Sequence, residues 1–112
     1  MPEQEYVCPI LEALRDAGGK ATVQEVLKRV YERVRHKLTQ ADLQQLPSGG
    51  VRWRNRAMWV RQYMVSAGLL SQETPRGVWE ITATGIEHLR RRNIDHPWAV
   101  LMEAKRKSST PT

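Results

Sequence analysis

Residues 51–70 read VRWRNRAMWVRQYMVSAGLL, and the fold turns on how this stretch is placed. Arg52, Arg54, Arg56 and Arg61 fall inside it, and no acidic residue occurs between Asp42 and Glu73. At roughly 100° per residue, Trp53, Ala57, Val60, Tyr63, Met64 and Ala67 share one side of a helix, with Trp59 at its margin. Arg54, Asn55, Met58, Arg61 and Gln62 fall on the other side. One face can seat in a core while the opposite face offers positive charge, amides and a flexible thioether. A helix packed from behind and pressed into a DNA groove needs that division. An ordinary amphipathic helix with a solvated basic face shares the pattern; the absence of acid over the whole stretch favours the groove.

Upstream, Pro47, Ser48, Gly49 and Gly50 make a turn that delivers the chain into this helix. Gly49 and Gly50 could let backbone amides approach a phosphate, although such glycines more often only make the turn. Thr39 with Asp42 predicts a short helix ending near Leu46. Thr22 and Glu25 have capping-box spacing, and Val23, Val26, Leu27, Val30 and Val34 then recur at helical spacing to about His36. Before them, residues 6–17 predict a first helix with Pro9 in its opening turn. That helix buries Ile10, Ala13, Leu14 and Ala17, and Gly18 and Gly19 stop it.

Downstream, Gly68 caps the central helix, and residues 69–72 and 78–81 predict two strands. The TPRG turn at 74–77 joins them as a β-hairpin, with Arg76 at its tip. Alternation does not settle which face Trp79 takes. Thr82 opens a further helix, 83 to about 93, burying Ile86 and Leu89. Arg90, Arg91 and Arg92 close it, where cations suit the helix dipole as well as they would suit a DNA backbone. A short amphipathic helix over 97–104 and a basic, Ser/Thr/Pro-rich tail complete the chain. Helix, helix, short helix, long basic helix, hairpin, helix is the order of a winged helix-turn-helix. The expected class is α+β, mostly α, with a two-stranded wing and a short C-terminal helical appendage.

Composition sets the limits. The 112 residues, 40% hydrophobic with 4 Trp, hold one small core, and we divide them into a domain at 1–94 and an appendage at 95–112. A net charge of +6 favours a polyanionic partner, nucleic acid or an anionic membrane. No apolar run approaches the roughly 20 residues of a membrane span. The opening MPEQEYVCPI is acidic where a signal peptide would be basic, and the single Cys8 allows no internal disulfide, so cytoplasmic residence is expected. A role on a membrane surface ranks behind DNA, because the basic helix needs its other face for the core.

Nothing here predicts catalysis. A restriction-type nuclease site needs an acid plus a D/E-x-K group to hold Mg²⁺. The sole such triplet, Glu103, Ala104 and Lys105, lies at the edge of the tail. His36, His88 and His96 lack ligand spacing with Cys8, and no Gly-rich phosphate loop is present, so no metal or cofactor is expected.

The segments LPSGG, RWRNRAMWVRQYMVSAGLL and PRGVWEITATGIEHL resemble the N-terminal domain of Mrr-type restriction system proteins. The matching elements are the PSG turn, Trp53, Asn55 with Arg56, Trp59, Tyr63, AGLL, the RGVWEIT strand and Gly85, and the likeness runs from about Tyr6 to Leu89. It implies a winged-helix DNA-binding module that delivers a separate nuclease domain to DNA carrying modified bases. The chain departs from that pattern in that no nuclease domain follows, so it is either an excised domain or a free-standing relative. Nuclease activity does not carry over.

The expected partner is therefore double-stranded DNA, with methylated bases, a fused nuclease domain or a homodimer as further options. Arg54, Asn55, Met58 and Gln62 are the expected base contacts: arginine suits guanine, asparagine suits adenine, and Met58 offers a soft surface to a methyl group. Gly49, Gly50, Arg52, Arg61, Arg76, Arg90, Arg91 and Arg92 are the expected backbone contacts, which set register rather than sequence. Trp53 and Trp59 are expected to be mainly buried. Two competing functions share the fold: a dimeric transcriptional regulator, and a protein–protein adaptor whose arginines meet an acidic peptide or which docks through Trp98 and residues 99–102.

Overall fold

The first element follows from a dense apolar period near the N-terminus. In the computed structural model, which describes residues 1–91, a 3-10 turn at Glu3–Tyr6 leads into helix α1, Val7–Asp16. Pro9 sits in the first turn, where a missing N–H costs little. Val7, Ile10, Leu11, Ala13 and Leu14 are all buried. The chain then makes a short strand, β1 at Lys20–Thr22, and enters α2, Val23–Val34. Thr22 caps α2, its hydroxyl accepting from the Glu25 amide at 3.3 Å. The reciprocal half of a capping box is replaced by an ion pair from the Glu25 carboxylate to Arg29 at 3.0 Å.

The helix expected over 39–46 is absent; one turn stands in its place. Thr39 and Asp42 cap each other, with Thr39 N–H donating to the Asp42 carboxylate at 2.9 Å and Asp42 N–H donating to the Thr39 hydroxyl at 3.2 Å. The turn cannot lengthen because its carbonyls serve the next helix instead. Asp42 O accepts from Trp53 N–H and Gln44 O from Arg52 N–H, both at 2.9 Å. The Asp42 carboxylate also holds the Met1 ammonium at 2.7 and 2.9 Å. Three segments thus meet at one buried acid.

Helix α3 runs Arg52–Ser66 and buries Trp53, Ala57, Val60 and Met64. Tyr63 and Ala67 are half-buried, but Trp59 is 58% exposed, contrary to expectation. α3 leans on the 3-10 turn and the edge of α1, so its buried stripe is narrow. At 100° per residue Trp59 lies roughly 130° from the centre of that stripe, beyond the reach of the core.

The strand pairing also differs from the expected hairpin. Strand β2, Val78–Glu80, pairs antiparallel with β1 in the register Lys20↔Glu80, Ala21↔Trp79 and Thr22↔Val78. On its other edge the expected hairpin partner contributes one bridge, Leu70↔Ile81, plus Ser71 N–H to Glu80 O at 2.9 Å. Residues 20–22 read Lys-Ala-Thr, with no apolar alternation to announce a strand; a ladder partner about 60 residues away creates it. Trp79 faces the core and is buried.

Helix α4, Ala83–Arg90, begins under Thr82, whose hydroxyl accepts from Gly85 N–H at 3.0 Å. It packs on α1 and buries Leu89, but Ile86 is 43% exposed instead of buried. Gly85 takes the inward position. A Cβ there would run into the Leu69 carbonyl oxygen and stand 2.8 Å from an Ile81 carbon. Backbone cannot swing aside as a side chain can, so Gly85→Ala should destabilise by about 3 kcal/mol, the upper range for overpacking. Chemical denaturation checks this. Arg92 and the expected 97–104 helix lie outside the described residues.

Candidate nucleic-acid interface

The loop into α3 is built by hydrogen bonds rather than by packing. Gln45 and Val51 bridge, Leu46 N–H donates to Gly50 O at 2.8 Å, and Gly49 N–H donates to Leu46 O at 2.9 Å. Gly49 and Gly50 hold φ of +88° and +85°, a region where a side chain would be strained. Their first task is therefore the turn, and the Gly49 amide is spent on it. The amides of Arg52 and Trp53 are likewise spent on the preceding loop, which leaves fewer donors at this helix start for an anion.

α3 sorts its outward residues by chemistry. Asn55, Met58, Trp59 and Gln62 recur at i, i+3, i+4 and i+7, the spacing of one helix face, opposite the buried stripe. They line a shallow hollow of about 240 Å³. Met58 is 42% exposed. The ridge of the helix is thus uncharged, two amides bracketing an apolar pair. Arginines stand on its flanks: Arg54 and Arg61 on one, Arg52 and Arg56 on the other.

The flanks are pre-arranged to different degrees. The Arg54 guanidinium lies 5.8 Å from the Trp53 ring centre, and that of Arg61 lies 5.9 Å from Trp79, joining α3 to β2. Arg61 is half-buried, and its buried Nε has no hydrogen-bond partner among the described residues. Arg56 faces Glu3 at 3.9 Å. Arg52, Arg54, Arg61 and Arg76 have no carboxylate partner among the described residues. Exposed Arg76 stands in the turn before β2, which Val78 N–H to Pro75 O at 3.1 Å and the Thr74 hydroxyl to Val78 O at 2.7 Å close.

Arg90 and Arg91 sit at the far end of α4 and share Glu87, at 3.8 and 2.9 Å. Being exposed, these pairs are cheap to break. Arg92 lies outside the described residues. The outward residue that sequence reasoning missed is Trp59; only the narrowness of the buried stripe reveals it, and the helical period alone left it at the margin.

Among the described residues no cluster of three His, Cys, Asp or Glu could hold a metal ion. His36 is exposed, while burial holds the half-buried His88 imidazole below its ordinary range. Among the described residues no helix is long and apolar enough to cross a membrane. No curated protein and no solved structure matches the chain. The family model of the Mrr N-terminal domain matches residues 4–91, most of the chain, and the protein belongs to that family.

Proposed function

We propose that this domain is a winged helix-turn-helix that binds duplex DNA by laying the ridge of α3 in the major groove, as the target-recognition module of a restriction system. One observation carries the reading. The ridge is uncharged and able to meet base edges, while the unpaired arginines Arg52, Arg54 and Arg61 stand beside it where phosphates would lie. Asn55 and Gln62 can each hold adenine N6 and N7, and Arg54 can reach a guanine from the flank. Arg76 on the wing, with Arg90 to Arg92, would touch backbone only. Gly49 and Gly50 serve by shaping the loop.

Modified-base recognition belongs to the same proposal. A methyl on adenine N6 or cytosine C5 projects into the major groove, where Met58 could receive it. Trp79 is buried and out of reach of that methyl; the exposed Trp59 stands beside Met58 and can give it aromatic support. Matched methylated and unmethylated duplexes, titrated with Asn55→Ala, Met58→Ala and Trp59→Ala, test this. Equal losses on both duplexes would leave these as positioning residues.

Backbone contacts should make affinity fall steeply with salt. With about four to six phosphates neutralised, log K against log salt should slope at roughly −4 to −5. The exposed Met58 and Trp59 would equally suit a protein partner, and a slope near zero would give that adaptor reading the field. A fused nuclease domain or a second copy of the chain would complete the assembly; sedimentation on single-site and palindromic duplexes separates a monomeric reader from a dimeric regulator.

A further inference from the structure

The cations of α2 are sorted by flank, as those of α3 are. Arg33 reaches back to α1, pairing with Glu12 at 3.7 Å and with Asp16, and Arg29 pairs with Glu25 at 3.0 Å. On the other flank Gln24, Lys28 and Tyr31, with Arg35 at the C-cap, recur at i, i+4, i+7 and i+11, and all are exposed. Neither Lys28 nor Arg35 has a carboxylate partner among the described residues. Two acids border this strip along the helix: the exposed Glu32, and the half-buried Glu25, which Arg29 engages.

Tyr31 shows which way the strip faces. Its ring centre lies 5.7 Å from that of Trp53, and Trp53 also carries the Arg54 guanidinium. Contacts from Tyr31 to Trp53, whose rings are tilted by 33°, and from Trp53 to the Arg54 guanidinium therefore join the outer flank of α2 to the arginine flank of α3. Lys28 and Arg35 stand roughly 10 Å apart along the helix axis, a length over which duplex DNA carries about six negative charges.

We propose that Lys28, the Tyr31 hydroxyl and Arg35 form a second phosphate-binding strip, which grips the DNA backbone beside the groove that α3 enters. This rests on the duplex-DNA reading above. The strip sets register: each cation neutralises a phosphate, the phenol donates a hydrogen bond to a phosphate oxygen, and no base is touched. The Tyr31–Trp53 contact then fixes the distance between that grip and the reading ridge.

The test is a salt titration of duplex binding for the full chain, for Lys28→Ala/Arg35→Ala, for Tyr31→Phe and for Arg29→Ala. The double variant should flatten the log–log slope by about two units and weaken unrelated duplexes alike. Tyr31→Phe keeps the ring contact and should lose roughly three- to tenfold in affinity with the slope unchanged. Arg29→Ala, on the other flank, should change neither. A flat slope for the unaltered chain would remove the DNA reading itself. A steep slope that the double variant leaves intact would overturn the strip alone, as would an equal flattening by Arg29→Ala, which would mean that only net charge matters. If the double variant lost binding to poly-glutamate but kept duplex affinity, the strip would belong to an acidic protein partner and the proposal would fail. All the altered residues are at least partly exposed, and thermal unfolding of each variant confirms that it is folded.

Discussion

Replacing Trp53 by alanine should cost about 3–5 kcal/mol of folding stability, the range for removing a large buried aromatic. Trp53 is 4% exposed and is the core residue at the start of α3, with Tyr31 and Arg54 in contact with it. Its loss opens a cavity and frees the first turn of α3 from α2, so DNA binding should fall together with stability. Trp59→Ala is the contrasting case. With 58% of Trp59 exposed, its removal should change stability by less than about 1 kcal/mol, yet weaken binding if the ridge meets DNA. Urea unfolding and duplex titration of both variants separate packing from contact. Should Trp59→Ala unfold as readily as Trp53→Ala, the orientation of α3 described above would be wrong.

Asp42→Ala should be of similar size, about 3–5 kcal/mol, because it strands a buried cation and unties the loop into α3. The carboxylate is the sole buried charged side chain among the described residues; it accepts from the Met1 ammonium and from Thr39 N–H, while its carbonyl accepts from Trp53 N–H. Burial alone would raise its pKa, but the ammonium and the Thr39 hydrogen bonds outweigh it and hold the carboxyl below its ordinary 3.8. A depressed carboxyl contributes stability that is present above the unfolded value and lost as pH falls through the folded one. Acid unfolding should therefore steepen below about pH 4 in the wild type and less so in Asp42→Asn. At the alkaline end, burial first, and then the nearby Asp42 charge, push the Tyr6 phenol up to about 12 from 10.0. Its contribution persists below pH 10.0 and is lost as pH rises toward 12. A pH series of unfolding midpoints with Asp42→Asn and Tyr6→Phe assigns each limb.

Local chemistry determined much of this protein. Apolar residues at helical spacing, the Thr22 and Thr82 caps and the glycine stops are interactions within a few residues, so α1, α2, α3 and α4 are legible in the chain to within a turn. The basic character of α3 and the family resemblance are equally local. Tertiary structure decided the rest. β1 exists because β2 pairs with it across the chain, and the 39–46 turn stays short because its carbonyls are claimed by α3. A helical period marks the apolar side but not how wide a stripe the neighbours will cover; that width put Trp59 outside and made the ridge uncharged. Which arginines remain free to meet a ligand was likewise undecided until the fold brought Glu3, Glu12 and Asp16 beside particular cations. Charge in a sequence is a count, and only packing turns it into a surface.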